Sequence, residues 1–371
     1  MREVLGDLLA WWRDGQPVGM ATVVATWRSA PRPPGATMLV GPDGTAVGSV
    51  SGGCVEADVY ELGQRVLSTG QPVRTRYGVS DDDAFAIGLT CGGIIDLFVE
   101  RVDPTSFPQL ADVAAAIEAG EPVAAATIVE GAPDQVGRRL VVWPDRRAGT
   151  LGSDRLDDAA TDDVRGMLAA GRTGPLRYGP DGQRRGDDLT LFVASFAPPP
   201  RMLVFGAIDF AAAVARLGTY LGYRVTVCDA RPVFATPRRF PDTEVVVDWP
   251  HRYLKAEVEA GRVDGRTVVC VLTHDPKFDV PVLEVALAQQ FAYVGAMGSR
   301  RTHDDRLKRL QEAGVPAEQL ARLSSPIGLD LGARTPEETA VSVAAEIIAT
   351  RWGGGGARLT MLDGRIHHDT D

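Results

Sequence analysis

The turn that decides the fold reads Val204-Phe205-Gly206-Ala207-Ile208-Asp209-Phe210-Ala211, and it lies between an apolar strand pattern and an Ala-rich helical pattern. A dinucleotide-binding turn occurs in this context. Gly206 supplies the tight turn, whereas Ile208 stands where a second glycine normally lets a pyrophosphate approach the backbone. Asp229 ends the next strand pattern, where a carboxylate can bond a ribose hydroxyl. We therefore expect a Rossmann-like fold. It binds a nucleotide, holds a different phosphate ligand or serves only as a scaffold.

The segments around this turn alternate between strand and helix patterns. The short apolar runs are Met202–Phe205, Arg224–Cys228, Glu244–Val247, Thr267–Leu272 and Tyr293–Val294. Such alternation favours a parallel sheet that is covered on both faces. The capping sequence Thr335-Pro336-Glu337-Glu338 predicts the start of a helix, and the glycine run 353–356 predicts its end.

A proline run, Ala197-Pro198-Pro199-Pro200, divides the chain because it can continue neither a helix nor a central strand. We predict a strand-rich α+β N-terminal domain over 1–196, the Rossmann-like C-terminal domain over 201–353 and a polar tail over 354–371. The apolar runs Gly19–Ala25, Met38–Val40, 94–100, Val123–Val129, Leu140–Trp143 and Leu189–Phe196 predict strands, and 54–69 and Leu110–Ala119 predict helices. Residues 144–187 receive no element.

Composition excludes several classes of protein. The 371 residues have a net charge of −10, which disfavours nucleic-acid binding, and 44% of them are hydrophobic, which excludes a wholly disordered chain. The uncharged run 285–299 is shorter than the roughly 20 apolar residues of a membrane span. Four cysteines form no disulfide scaffold, and acids follow Met1 closely where a secretory signal has basic and then apolar residues. We therefore expect a soluble, intracellular protein.

Two cysteines stand beside glycine pairs, in Ser51-Gly52-Gly53-Cys54 and in Cys91-Gly92-Gly93. Glycine turns expose backbone N–H groups, which stabilise an anion such as a thiolate or a phosphate. Cys54 also opens a predicted helix, whose N-terminus favours negative charge. The two thiols can ligate a soft metal or carry sulfur. The alternative is that both are small residues buried at tight turns.

Two further turns carry polar groups at the ends of predicted strands. Gly298-Ser299-Arg300 precedes a helical stretch, where a hydroxyl, a guanidinium and N–H groups suit an anion. His274 follows another strand and can act as an acid, a base or a metal ligand. The alternatives are a plain turn with a solvated arginine and a loop histidine held by a hydrogen bond.

Together these motifs resemble the XdhC/CoxI family of xanthine dehydrogenase accessory proteins. The matching stretches are 29–36, 48–56, 89–93, 272–275, 298–301 and, as the longest, 325–338. They span both predicted domains in the order of the family. One departure concerns the Rossmann-like turn, because relatives carry Gly-Ala-Gly-His where this chain has Gly206-Ala207-Ile208-Asp209.

The resemblance implies a cytoplasmic, commonly homodimeric chaperone for the molybdenum cofactor (molybdopterin). Such proteins assist sulfuration of the cofactor with a cysteine desulfurase and its insertion into an apo molybdenum hydroxylase. We expect Cys54 and Cys91 to be the metal-contacting thiols and the two cysteine turns to converge on one cleft shared with the C-terminal domain. The other expected cofactor-binding residues are Arg32, Ser51, Gly52, Gly53, Gly92, Gly93, Gly206, Asp229, His274, Gly298, Ser299 and Arg300. No catalytic residue is identified.

Three alternatives stay open. The first is an oxidoreductase that binds NAD(P) or another nucleotide at the Rossmann-like turn, and Ile208 counts against it. The second is a thiol-based sulfur-transfer enzyme centred on Cys54. The third is a scaffold that docks a larger partner through its acidic surface.

Overall fold

The computed structural model describes residues 1–27, 30–78 and 93–363. The chain divides into two compact units, the first being Met1–Pro198 and the second beginning at Pro199. Each unit has its own sheets and its own hydrophobic core. The division falls inside the proline run.

The first half of unit 1 is a five-stranded antiparallel sheet with two helices. Its elements are α1 (Leu5–Arg13), β1 (Val18–Trp27), β2 (Thr37–Val40), β3 (Ala46–Gly48), α2 (Glu56–Thr69), β4 (Val73–Tyr77) and β5 (Ile94–Val102). The strand order is β3-β2-β1-β5-β4. Asp43 and Gly44 close the β2–β3 hairpin, where Asp43 accepts a hydrogen bond from the backbone of Thr45 and Gly44 adopts a positive φ of 82°.

The second half of unit 1 repeats the first. Its elements are α3 (Leu110–Ala119), β6 (Val123–Glu130), β7 (Arg139–Val142), β8 (Arg147–Thr150), α4 (Asp154–Ala169), β9 (Gly174–Tyr178) and β10 (Leu189–Phe196). The strand order β8-β7-β6-β10-β9 is that of the first sheet, strand for strand. The sequence Arg76-Tyr77-Gly78 at the end of β4 recurs as Arg177-Tyr178-Gly179 at the end of β9. Unit 1 therefore consists of two copies of one α-β-β-β-α-β-β motif.

The two sheets of unit 1 pack face to face, and α2 and α4 cover their outer faces. Alternation along each strand sends every second side chain inward. Val24 and Phe98 of the first sheet pack against Val129 and Phe192 of the second. On the outer face of the first sheet, α2 lies so close that a Cβ added to Gly63 would stand 2.7 Å from a Val40 methyl carbon. Glycine is therefore required at this helix position.

Unit 2 is a six-stranded parallel sheet with helices on both faces. Its elements are β11 (Arg201–Phe205), α5 (Asp209–Tyr220), β12 (Arg224–Asp229), β13 (Glu244–Val247), α6 (Pro250–Glu259), β14 (Val268–Val271), α7 (Pro276–Leu287), β15 (Tyr293–Ala296), α8 (Arg300–Glu312), α9 (Ala317–Leu320), β16 (Leu323–Ser324) and α10 (Pro336–Trp352). The strand order is β13-β12-β11-β14-β15-β16, and every pairing is parallel. This is the 3-2-1-4-5-6 order of dinucleotide-binding folds. The predicted fold class is confirmed for both units.

The four central strands of unit 2, β11, β12, β14 and β15, are buried on both faces, as their continuous apolar runs predict, whereas the edge strands β13 and β16 are partly exposed. Met202 and Val204 of β11 face α5 and α10, whereas Leu203 and Phe205 face α6, α7 and α8. Each fully buried leucine of this kind contributes about 1.5–3 kcal/mol to stability. Among the described residues, no helix combines the length and the apolar character that crossing a bilayer requires.

The last helix begins and ends where the sequence predicts. Thr335 and Glu338 form a reciprocal capping box, and Gly353 takes the left-handed conformation that ends the helix. However, α10 is apolar around more than one face. It buries Val343 and Ile347, whereas Val341 and Ile348 are about half exposed.

Candidate functional site

The turn that carries Cys54 is built around the carboxylate of Glu56. This carboxylate accepts hydrogen bonds from four backbone N–H groups, those of Val50 (3.2 Å), Ser51 (2.9 Å), Gly53 (2.8 Å) and Val55 (3.2 Å). The hydroxyls of Ser49 and Ser51 donate to it as well. The backbone N–H groups of this turn thus already bind an anion, which is a side chain of the same chain.

The remaining N–H groups of this turn are also satisfied locally. Gly52 donates to the Ser49 hydroxyl at 2.9 Å, and Cys54 donates to the Ser51 hydroxyl at 3.0 Å. Burial alone would raise the pKa of Glu56, but the hydrogen bonds from Ser49, Ser51 and Gly53 outweigh it and lower that pKa to about 2. Glu56 is therefore an anion at every physiological pH. The sequence interpretation assigned it no role.

Cys54 is half-buried at the start of α2. Gly52 and Gly53, which precede Cys54, have φ angles of +78° and +120°. Glycine adopts such positive φ angles readily because it has no side chain. No described atom lies within 4 Å of a Cβ built on either glycine. On its inner side Cys54 packs against the buried cluster that contains Val50, Val55 and Val59. The turn thus exposes bare backbone on one side and is anchored in the core on the other.

The second cysteine turn is described only at its end. Gly93 immediately precedes β5, and its carbonyl oxygen would be 2.9 Å from a Cβ built on Gly78. Cys91 and Gly92 lie outside the described residues, so the convergence of the two turns stays a prediction. In residues 1–27, 30–78 and 93–363, no three His, Cys, Asp or Glu side chains gather in a way that could hold a metal ion.

Arg32 lies in the loop between β1 and β2. Its guanidinium pairs with Glu3 at 3.3 Å, and about a third of its side chain is exposed. Together with Pro33 and Pro34 it borders a cavity inside unit 1. Arg32 is thus placed to meet an anionic group at the entrance of that cavity.

In unit 2, the remaining predicted residues lie along one edge of the parallel sheet, the edge formed by the carboxyl ends of its strands. Gly206 follows β11, Asp229 ends β12, His274 follows β14 and Gly298 follows β15, and these four strands are adjacent in the sheet. The strand order reverses between β11 and β14, which is where ligands bind in open α/β sheets. His274 is exposed at this edge.

The turn after β11 is closely packed. Gly206 has a φ of +107°, and a Cβ there would stand 2.9 Å from the backbone nitrogen of Thr273. The N–H of Ala207 donates to Asp229 at 2.7 Å. Asp229 also forms a two-point ion pair with Arg231 at 2.9 Å and 2.7 Å. Burial would raise the pKa of Asp229, but these hydrogen bonds lower it. The carboxylate is therefore engaged within the protein rather than directed at a ribose.

The turn after β15 is held by an arginine that the sequence interpretation did not single out. Ser299 caps α8 by accepting a hydrogen bond from the N–H of Thr302. Arg306, 2% exposed, donates to the carbonyl of Met297 at 2.8 Å, to Asp279 at 3.0 Å and to the Ser325 hydroxyl at 3.0 Å. Arg306 therefore joins the turn after β15 to the start of the 325–338 stretch. Arg300 itself is exposed.

Comparison with known proteins identifies the family. The model of the XdhC Rossmann domain matches residues 202–347, and that of the XdhC and CoxI family matches 11–78 and 116–179, one segment in each repeat of unit 1. A Bacillus subtilis protein, named as a probable subunit of xanthine dehydrogenase, is 30% identical over 342 residues, which cover 91% of this chain and 94% of the relative. The chain belongs to the XdhC and CoxI family.

Two further relatives extend this result. The Escherichia coli molybdenum cofactor insertion chaperone PaoD is 28% identical over 338 residues, 91% of this chain and 85% of the relative. A crystal structure from Bacillus halodurans, described as a xanthine dehydrogenase, superposes with a TM-score of 0.64 at 25% identity and covers 93% of this chain and 95% of its own. The predicted family is confirmed, and the match extends to the repeat that the sequence motifs left uncovered.

Proposed function

We propose that this protein binds the molybdenum cofactor and serves as a maturation chaperone for an apo molybdenum hydroxylase. The name of the relative PaoD and the family membership support the class of function. The observation that carries the proposal is the Cys54 turn, in which Glu56 holds an otherwise irregular backbone in one conformation. Such preorganisation keeps a soft sulfur ligand ready for a metal centre.

The Cys54 turn suits the metal centre of the cofactor rather than its phosphate. The backbone N–H groups of the turn already donate to Glu56 and to the Ser49 and Ser51 hydroxyls, so they are engaged within the protein rather than directed at a phosphate of the cofactor. Gly52 and Gly53 act instead by shaping the backbone, and their open side lets a large ligand approach Cys54. When bound, the cofactor supplies a soft metal–dithiolene centre, and the protein contributes the thiol of Cys54 and the positive charge of Arg32.

The finer parts of the proposal concern partners. The protein presents the cofactor to a cysteine desulfurase for sulfuration, works in the cytoplasm and acts as a homodimer. Cys91 serves as a second thiol on the same cofactor. The edge of unit 2 that carries Gly206, His274 and Arg300 contributes to cofactor binding without NAD(P). Ala207 and Asp229 are hydrogen-bonded to each other, and Ile208 occupies the position at which a pyrophosphate would approach.

Cofactor loading in a host that makes molybdopterin tests the proposal. Molybdenum is measured by mass spectrometry, and the pterin is measured by fluorescence after oxidation, in wild type, Cys54→Ser, Cys91→Ser and Cys270→Ala. Cys270 is a buried thiol of β14 and serves as the control. We expect wild type and Cys270→Ala to retain cofactor and the other two variants to lose most of it. Absence of cofactor from the wild type contradicts the chaperone function, and equal loading in all four removes the thiols from the site.

A separate titration distinguishes the oxidoreductase alternative. NADPH fluorescence is followed as wild type is added. We expect no saturable change at micromolar concentrations, and a saturable signal that Ile208→Gly strengthens would instead support nucleotide binding in unit 2.

A further inference from the structure

A cavity of about 270 Å³ lies inside unit 1, between the facing sheets of the two repeats. Its walls come from β1, β2 and β5 of the first sheet and from β6, β7 and β10 of the second, together with residues 1–3 and the loop 32–36. A single water needs only about 10–15 Å³ of such space, so the cavity can hold a small organic molecule.

The two repeats contribute equivalent residues to this cavity. In the first sheet, Thr22 of β1 is paired with Phe98 of β5. In the second sheet, Thr127 of β6 is paired with Phe192 of β10 in the same way. All four side chains line the cavity. Two phenylalanines and two hydroxyls therefore face each other in a pseudo-symmetric arrangement.

The symmetry of the two repeats is broken at one pair of positions. Glu100 of the first sheet forms a buried ion pair with Arg139 of the second. By strand pairing, the residue equivalent to Glu100 is Ala194 and the residue equivalent to Arg139 is Thr37. On one side a glutamate and an arginine thus fill the space between the sheets. On the other side the smaller Ala194 and Thr37 line the cavity, and the N-terminal ammonium of Met1 donates to the Thr37 hydroxyl at 2.9 Å.

The polar groups are distributed between the interior and the entrance. Inside, Arg139 is fixed by Thr127 at 2.8 Å and by the ring of Phe107, whose centroid is 4.1 Å from the guanidinium carbon. One carboxylate oxygen of Glu100 accepts from Arg139. At the entrance, the exposed Arg2 and Glu3 and the partly exposed Arg32 border the cavity, and Arg32 is paired with Glu3 at 3.3 Å. The cavity thus combines aromatic walls, hydrogen-bonding groups along its sides and guanidinium groups at its entrance.

From this arrangement we infer that the cavity binds a pterin ring that carries an anionic group. The flat ring lies between the aromatic walls, its donor and acceptor edge meets the threonine hydroxyls and Glu100, and its anionic group meets Arg32. This inference rests on the proposed function, because the pterin ring is one part of the cofactor whose metal centre the Cys54 turn would contact. It makes unit 1 the pterin-recognition unit.

Titration with pterin-6-carboxylate, followed by its fluorescence, tests the inference in the full-length protein. We expect saturable binding to wild type and to Ala194→Ser, which leaves the space open. Ala194→Leu should weaken binding about tenfold or more, because it fills the apolar space. Arg32→Ala, at the exposed entrance, should weaken pterin-6-carboxylate binding several-fold and leave binding of the uncharged pterin unchanged.

Equal affinity of wild type and Ala194→Leu overturns the inference. If Ala194→Leu does not fold, equal affinity of wild type and Arg32→Ala for pterin-6-carboxylate overturns it. Displacement of the pterin by guanosine monophosphate at lower concentration also overturns it, since the purine has the same amino-oxo edge. Cofactor loading of the same variants separates the two proposals. Loaded wild type with equally loaded Ala194→Leu refutes the cavity site alone, and pterin binding by a wild type that never retains cofactor refutes the chaperone function alone.

Discussion

Replacing Glu56 with glutamine tests how the turn that carries Cys54 is held. Glutamine keeps the length of the side chain, but it replaces one acceptor oxygen by an NH₂ group that faces N–H donors. The difference between the ordinary pKa of 4.5 and the value of about 2 in the folded protein corresponds to roughly 3 kcal/mol. Because Glu56 is partly exposed, solvent screening reduces the expected loss of stability to about 1–2 kcal/mol.

The sign of the pH dependence follows from the lowered pKa. The stabilisation by Glu56 is fully present above the ordinary value of 4.5 and is lost as the pH falls toward 2. Unfolding by urea is measured from about pH 7 down to about pH 3 for wild type, Glu56→Gln and the control Glu61→Gln, which changes an exposed residue of the same helix. We expect the difference between wild type and Glu56→Gln to be largest near neutral pH and to shrink below about pH 4.5. A difference that is absent at neutral pH, or constant across this range, refutes the reasoning.

The other predictions concern unit 2. Arg306→Met should destabilise the protein by about 3–5 kcal/mol in urea, because it leaves a buried carboxylate unpaired, whereas the exposed Arg309→Met should change little; equal effects would contradict this. Gly206→Ala should lower stability by about 1–3 kcal/mol, because its φ is +107° and a Cβ would meet neighbouring backbone, whereas Gly166→Ala in α4 should be neutral or stabilising; thermal unfolding compares the two. Burial raises the pKa of Cys270 to about 12, so iodoacetamide should not modify it at about pH 8 in the folded protein; modification found by peptide mass spectrometry before unfolding would contradict the burial.

Much of the fold follows from local sequence patterns. The apolar run Leu189–Phe196 is a strand with those bounds, and the capping residues Thr335 and Glu338 form the predicted box. These patterns succeed because backbone preference and burial agree there. The sequence patterns did not predict the elements of the segment 144–187, because its helix α4 is rich in aspartate. The large apolar side chains that α4 buries, Leu156, Val164 and Leu168, are separated along the sequence by charged residues. Comparing the two Arg-Tyr-Gly sequences would have revealed the repeat and placed this segment.

The sites were predicted less completely than the fold. Sheet topology brings Gly206, His274 and Gly298 to one edge, which the strand-end positions already indicated. That the carboxylate of Glu56 binds the N–H groups of the Cys54 turn was not predictable in the same way. Nothing in the residue spacing distinguishes Glu56 from an ordinary acid in the first turn of a helix. The cavity of unit 1 depends on side chains from two sheets that are distant in sequence, and Ala194 lines it at the position equivalent to Glu100.

Transfer of cofactor is the most direct test of the central claim. Protein purified with its cofactor is mixed with an apo molybdenum hydroxylase, and the hydroxylase activity gained is compared with the molybdenum lost from the carrier. We predict that activity appears in proportion to that loss, and that protein carrying Cys54→Ser delivers little. A wild-type protein that keeps its molybdenum, or releases it without activating the hydroxylase, would contradict the account.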